Sequence, residues 1–483
     1  MRSETAMVQL RRRVLTELAK LAREGALADK VATIMTGIAT EKGPRYRCCV
    51  HKERAVLRER INIALSQPLT NDVRESAILA AKGHVASDMP IVNVLPEACD
   101  QCPLDKFLVT DACQNCIAHH CIASCPRKAI SIHHNRACID ETLCIKCGMC
   151  RKSCPYGAII ENIRPCERAC ELGALHADSN RRAIIDYDKC VQCGACINAC
   201  PFGAIGERTY IVQVIQEIRR GKEVMALIAP SIEGQFGVGV SLNQIISAIK
   251  ALGFQNVYEA AEGAEITARS EAREFKESVI ERHEKFLTTS CCPAFVSMIR
   301  TNFGDSVTHI SKTVSPMATI ANVVKKKHPD AILVFIGPCA AKKTEALEYT
   351  TLVDFVITYE ELLAMFTGAG IETSRTGAGV SERRAPGDGN GFACSGGVLR
   401  AVGNVLNESN DAACLNGCCC EGLKGCKEVV AEAISGKRDV NFIEGMACCG
   451  GCVGGSGVLV DRRVASGIIK THAIAKTASD TQV

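Results

Sequence analysis

The chain has 483 residues, 47% of them hydrophobic, enough for about three domains with sizeable cores. A net charge of +4 is too near balance for a strong polyanion binder, and no tryptophan with 4% aromatics argues against base stacking on single-stranded nucleic acid. The outlier is cysteine, with 31 copies. No apolar run of about 18 residues is present to span a membrane, and "MRSETAMVQLRRRVL" has no apolar signal core. The expected location is the cytoplasm, where clustered thiols ligate metal instead of pairing as disulfides.

Residues 1–95 read as a helical region. Val14, Leu18, Leu21 and Ala22 recur at helical spacing, as do Val56, Leu57, Ile61 and Leu65. The stretch "RYRCCVHKERAVLRER" is basic, which predicts either a solvated helix face or a docking surface for an acidic redox partner. Cys48 and Cys49 have no other cysteine nearby in sequence and read as ordinary thiols.

Residues 96–208 contain an internal repeat. Four segments end alike, "SCPRKAI", "SCPYGAI", "ACELGAL" and "ACPFGAI", and three follow a full cysteine ladder. The spacing C-x2-C-x2-C-x3-C-P sends three thiolates to one [4Fe–4S] cube and the fourth to another. Zinc knuckles share the C-x2-C half but need two such halves, not a graded ladder. The region resembles bacterial two-cluster ferredoxins and, in its number of repeats, their four-cluster relatives. The expected sets are Cys113, Cys116, Cys121 with Cys154; Cys144, Cys147, Cys150 with Cys125; Cys190, Cys193, Cys196 with Cys170; and Cys99, Cys102, Cys166 with Cys200. Cys138 is left over. A competing allocation joins Cys200 to Cys144, Cys147 and Cys150, and Cys154 to Cys190, Cys193 and Cys196. Three to four cubes of this kind make a wire, which needs a terminus.

Residues 209–475 read as α/β, with 476–483 as a tail. "EVMALIAP", "DAILVFIGPC" and "DFVITYEELLAMF" are short apolar runs suited to buried parallel strands, and the intervening segments suit helical crossovers. Ligand sites in such sheets lie beyond the carboxyl ends of the strands, which predicts that Pro230, Ser231 and Cys339 share a crevice.

Three motifs here, "TSCCPAF", "IGPCAAKKTEA" and "EGMACCGGCVGG", resemble in type and order the catalytic domain of [FeFe]-hydrogenases. The helical N-terminus and the motif forms resemble the group B branch. The resemblance implies a two-lobed α/β catalytic domain of parallel strands and helices, behind an α+β ferredoxin-like iron–sulfur domain and the helical N-terminal segment. It implies an H-cluster, a [4Fe–4S] cube bridged to a diiron unit with CO, cyanide and a dithiolate, on Cys292, Cys339, Cys448 and Cys452, with Cys452 bridging. Cys291 is then the proton-passing thiol, fed by Glu271, Ser311 and Glu274. Lys342 and Ser231, beside Pro230, contact cyanide, and Met446 and Phe392 pack around the diiron unit. Ordinary helix-face carboxylates and core packing are the bland alternatives for the Glu pair and for Met446 and Phe392.

The implied activity is reversible hydrogen oxidation and proton reduction, with ferredoxin as electron partner and maturation proteins to insert the diiron unit. Alternatives are a slow hydrogen sensor, which would usually add a signalling domain after about Asp461, and a non-catalytic iron–sulfur scaffold, which would lack the diiron contacts. Departures from the family pattern are Gly337 for methionine, Ser270 for an acidic residue, Ser278 for the arginine at the outer end of the relay, and Cys449 for proline. "CLNGCCCEGLKGC", with Cys414, Cys418, Cys419, Cys420 and Cys426, matches no cluster spacing and reads as a thiol-rich surface loop, with a further metal site as the alternative.

Overall fold

The apolar runs of the C-terminal half form two parallel sheets. The first has the strand order Asn256–Glu259, Val224–Ile228, Ile332–Gly337, Phe355–Thr358, every pair parallel. All five residues of Val224–Ile228 are buried, as expected for a strand covered on both faces. The second sheet places Phe442–Met446 between Leu287–Thr288 and Gly417–Glu421, again parallel. These are the two lobes, and the three cysteine motifs follow the carboxyl ends of Leu287–Thr288, Ile332–Gly337 and Phe442–Met446. The computed structural model describes residues 5–43, 46–99, 102, 106–178, 182–237, 239–377, 379, 387–409 and 411–480.

Residues 417–421 correct the expectation of a surface loop. "GCCCE" is an edge strand, and alternation turns Cys420 inward (6% exposed) while Cys419 faces out. Cys426, in the following helix Leu423–Ser435, is fully buried. The thiols of Cys420 and Cys426 donate to the carbonyls of Glu444 (3.4 Å) and Met446 (3.5 Å) on the central strand, so they serve the sheet as small hydrophobes with a weak donor.

The cysteine ladders fold into small antiparallel pairs: Phe107–Val109 with Ile159–Glu161, Ile130–His133 with Arg136–Ile139, and Leu175–Ala177 with Ala183–Ile185. A fourth pair joins Val92–Val94 to Ile205–Glu207. Ahead of them the helices Ala6–Glu24, Leu27–Ile38, Val50–Ala64 and Val73–Ala81 pack into the same core as the first sheet. Several cations of the basic stretch turn onto the protein's own loops, while His51 and Arg58 stay exposed. Arg60 donates to the carbonyls of Phe202 (3.2 Å) and Gly203 (2.7 Å), Arg47 to those of Ala98 and Phe202, Arg54 to Ala39, and Lys52 pairs with Glu97. Forked guanidinium groups can satisfy loop carbonyls that no strand pairs, and that fixes the helices onto the iron–sulfur unit. The last helix, Arg462–Asp480, runs through the expected boundary at residue 475.

Candidate active site

The pair Cys291–Cys292 is divided by local structure. Pro293 is the first residue of the helix Pro293–Phe303, where its missing N–H costs nothing and its fixed φ suits the turn. Cys292 is the cap residue, extended at φ −101° and ψ 106°, so the two cysteine side chains diverge at the helix start. Cys292 faces Cys339, Cys448 and Cys452: burial is the main reason these last three thiols are pushed up, Cys339 to about 12, and mutual charge adds to it. All four keep intermediate exposure.

Glycines let the loops close in. Gly451, at φ 87°, would put a Cβ 2.6 Å from the nitrogen of Ser395, and Gly455 one 2.4 Å from the carbonyl of Pro338, next to Cys339. Gly337 has its own reason. A Cβ there would meet the Phe335 ring at 2.3 Å, so the aromatic side chain two residues earlier needs the glycine.

Cys291, Phe392 and Met446 share one buried cluster, 8%, 5% and 2% exposed. Ser231 is buried, its hydroxyl 2.6 Å from that of Tyr359. Lys342 donates to the carbonyl of Cys291 (3.2 Å), the hydroxyl of Ser315 (3.2 Å) and the carboxylate of Glu345 (2.5 Å). Burial, the largest single effect, would lower the Lys342 pKa; the charge and hydrogen bond of Glu345, with the nearby Cys339 and Cys291 thiols, together outweigh it and the pKa ends raised. Glu345 escaped the sequence reading, although its i,i+3 spacing from Lys342 was a usable signal. Tyr359, Ser290 and Ser315 carried none.

Helix Ala260–Phe275 buries a stripe of small residues, Ala264, Thr267, Ala268 and Ala272, and Glu271 falls inside that stripe. Glu271 is fully buried, and burial raises its carboxyl to about 8, with Glu274 and Glu444 adding repulsion. One oxygen accepts from the Ser290 backbone N–H (3.2 Å) and hydroxyl (3.4 Å); the other, Oε2, has no hydrogen-bond partner. An orphaned buried oxygen suits a proton acceptor, and the Glu271 charge acts on the Cys291 thiol. Glu274, half-buried, accepts from Ser311 Oγ (2.6 Å), the backbone of Lys312 (2.8 Å) and Thr313 Oγ1 (3.0 Å). Beyond it the helix widens into a π-helical turn, Lys276–Glu281, that buries Ser278.

The ladder thiols gather as four sets. Cys113, Cys116, Cys121 and Cys154 ring one cavity, Cys125, Cys144, Cys147 and Cys150 a second, and Cys170, Cys190, Cys193 and Cys196 a third. Cys99, Cys102 and Cys166 interact electrostatically with one another or with Cys200. The competing allocation, which moves Cys154 to the third set and Cys200 to the second, is not the arrangement found. Among the described residues no His, Cys, Asp or Glu group of three or more closes on a single ion. The repeat's alanine has a role: the backbone N–H of Ala129, Ala174 and Ala204 donates to the sulfur of Cys125 (3.2 Å), Cys170 (3.2 Å) and Cys200 (3.3 Å) four residues earlier. Such donors steady a thiolate, so the thiol sets fit iron–sulfur cubes. Cys193 interacts with Cys292 and Cys448, and Cys196 with Cys166, which puts the third set beside the active-site thiols and the fourth set beside the third. Glu171, where the other repeats carry Pro, accepts from the backbone N–H of Lys424 at the start of the Leu423–Ser435 helix (2.8 Å) and so docks the third set on the second lobe.

Residues 222–456 match the model for "Iron only hydrogenase large subunit, C-terminal domain", and residues 137–160 and 183–206 match "4Fe-4S binding domain". The chain is 30% identical over 372 residues to the periplasmic [Fe] hydrogenase large subunit of Nitratidesulfovibrio vulgaris, covering 66% of this chain and 85% of that one. It is 28% identical over 289 residues to iron hydrogenase 1 of Clostridium pasteurianum, covering 49% of this chain and 50% of the other. A solved [FeFe]-hydrogenase HydA1 variant from Chlamydomonas reinhardtii superposes with a TM-score of 0.48 at 20% identity, over 56% of this chain and 90% of that one. No helix among the described residues is long and apolar enough to cross a membrane.

Proposed function

Because the chain belongs to the iron-only hydrogenase family, we propose that it interconverts molecular hydrogen with protons and electrons at an H-cluster held by Cys292, Cys339, Cys448 and Cys452. When bound, that group supplies the making and breaking of the H–H bond. The observation that carries the reading is Glu271, a buried carboxyl with a pKa of about 8 and an unpartnered oxygen, whose charge acts on the non-ligand thiol Cys291. An acid–base pair of this kind has no use in a passive scaffold, whereas proton reduction needs a group that loads and unloads near neutral pH.

In this reading Cys291 exchanges its proton with Glu271 and presents it toward the pocket bordered by Met446 and Phe392. Lys342 keeps a positive charge at the Cys291 backbone and offsets the negative charge of the bound group, while Glu345 holds that ammonium in place. Ser231, with Tyr359, offers a hydroxyl at the end of the neighbouring strand. Electrons pass from the active-site thiols to the cube of Cys190, Cys193, Cys196 and Cys170, then to that of Cys99, Cys102, Cys166 and Cys200, and on to the two remaining cubes. A small ferredoxin-type carrier is the natural partner for such a wire, and dedicated maturation proteins would deliver the diiron unit in a reducing cytoplasm.

Infrared spectroscopy of the matured chain tests the reading. Bands from metal-bound CO and cyanide, together with hydrogen uptake or evolution with an artificial carrier, are expected. A chain carrying its full iron and showing neither overturns it.

A further inference from the structure

The two halves of the proton path meet at Ser290 and Thr313, but no proton can cross there. Ser290 is hydrogen-bonded to Glu271 and donates to the carbonyl of Thr313, while Ser311 and Thr313 donate to Glu274; a carbonyl only accepts, so this contact relays nothing from Glu274 to Glu271. The outer end offers no mouth either: Ser278 is 5% exposed inside the π-helical turn. Both halves open instead on one cavity of about 380 Å³, between the helices Pro293–Phe303 and Ala341–Glu348. Ser290, Ser311, Thr313, Ser315, Glu345 and Glu348 line it. At roughly 30 Å³ per water it has room for about a dozen, and this hydroxyl and carboxylate lining suits water, not gas.

Ser290 stands at the junction. Its single hydroxyl proton has two acceptors in reach, Glu271 Oε1 at 3.4 Å and the closer carbonyl of Thr313, while the side chain borders the cavity. A rotor of this kind can give its proton to the Glu271 carboxylate and take another from cavity water, which leaves the hydroxyl unchanged and moves one proton inward.

We infer that this cavity is the solvent mouth of the proton path in this chain, and that the Ser290 hydroxyl carries protons from its water to Glu271. The inference rests on the proposed function, and its test is chosen to stand apart from it. Glu271→Gln assigns the infrared band of the Glu271 carboxylic acid in the full chain without the diiron unit, and the exchange of that band is timed after mixing into heavy water. Ser290→Ala keeps the backbone N–H to Glu271 and is expected to slow the exchange at least about tenfold; Ser290→Thr, which restores a hydroxyl, is expected to recover it. Ser297→Trp, a plug set in the cavity wall, should slow it too and decides the matter if Ser290→Ala fails to assemble its cubes. In the loaded chain Ser290→Ala should lower turnover by a similar factor and enlarge the solvent isotope effect. Unchanged exchange in Ser290→Ala and Ser297→Trp, with Ser311→Ala slow, would overturn the inference and route protons through Glu274. A loaded wild-type chain without turnover would sink the functional proposal while leaving the exchange measurement readable.

Discussion

Glu271→Gln should stabilise the protein while stopping its proton traffic. The folded chain holds the Glu271 proton up to about pH 8, whereas an unfolded glutamate releases it near 4.5. Between those values the folded state binds one proton more than the unfolded state, so stability falls as pH rises through the window. At pH 7 two and a half pH units have been crossed, and at about 1.4 kcal/mol each the penalty is roughly 3 kcal/mol. Glutamine escapes it. The amide keeps an acceptor for the Ser290 N–H but leaves an NH2 where Oε2 has no partner, at a cost of about 1 kcal/mol. The net gain is about 2 kcal/mol at pH 7, or about 4–8 °C in the melting midpoint of a domain of this size. At pH 4.5 the gain vanishes and the variant is slightly the weaker; above pH 8 it levels off. Anaerobic melting of both proteins across pH 4.5–9, at equal iron content, reads this directly. A midpoint difference that does not change with pH, or that favours the wild type at pH 8, refutes the reasoning, because then Glu271 is not a carboxyl kept neutral by burial.

Other expectations follow from the same geometry. Cys291→Ala should abolish turnover and leave the iron content unchanged; loss of a cube would mean that Cys291, not Cys292, is the ligand. Cys170→Ser should remove about four irons per chain and disconnect the active site from the wire; an unchanged iron content would mean that Cys170 closes no cube. Lys342→Met strands the buried carboxylate of Glu345 and should cost about 3–5 kcal/mol, most of it recovered when Glu345→Gln is added; failure of the double variant to recover stability shows that the two groups are not a pair. Glu171→Pro restores the repeat but removes the acceptor at the Lys424 N–H, and should lower stability by about 1 kcal/mol with iron unchanged; a neutral result on melting dismisses the docking role.

Much of this architecture was legible in the residues because thiolate ligation writes itself into spacing. A fourth cysteine left over by each ladder has to go somewhere, and Cys170 lies with Cys190, Cys193 and Cys196 around one cavity. The strands Val224–Ile228 and Ile332–Gly337 were legible for a similar reason: an apolar run bounded by turn residues has few alternatives. Edge strand Gly417–Glu421 was not, because three cysteines between glycines lack the β-branched and aromatic residues that mark a strand, and its place is set by pairing with Phe442–Met446. The basic N-terminal stretch misled for another reason. Charge alone does not say whether an arginine faces water or a loop carbonyl, and Arg47 and Arg60 chose the carbonyls of Phe202. Ser290 was invisible as a functional residue because its partner Glu271 is distant in sequence, whereas Glu345 was legible in principle from its spacing to Lys342.

Ser456 joins parts that would otherwise be free to drift. Its carbonyl accepts from the side chain of Asn198, on the helix that carries Cys196, and its hydroxyl accepts from the backbone of Ala340, next to Cys339. Gly194, between Cys193 and Cys196, leaves just enough room for the serine, since a Cβ there would lie 2.8 Å from the serine oxygen. Electron tunnelling weakens exponentially with separation, so a small keystone that fixes the spacing between the last relay station and the catalytic core also fixes the throughput.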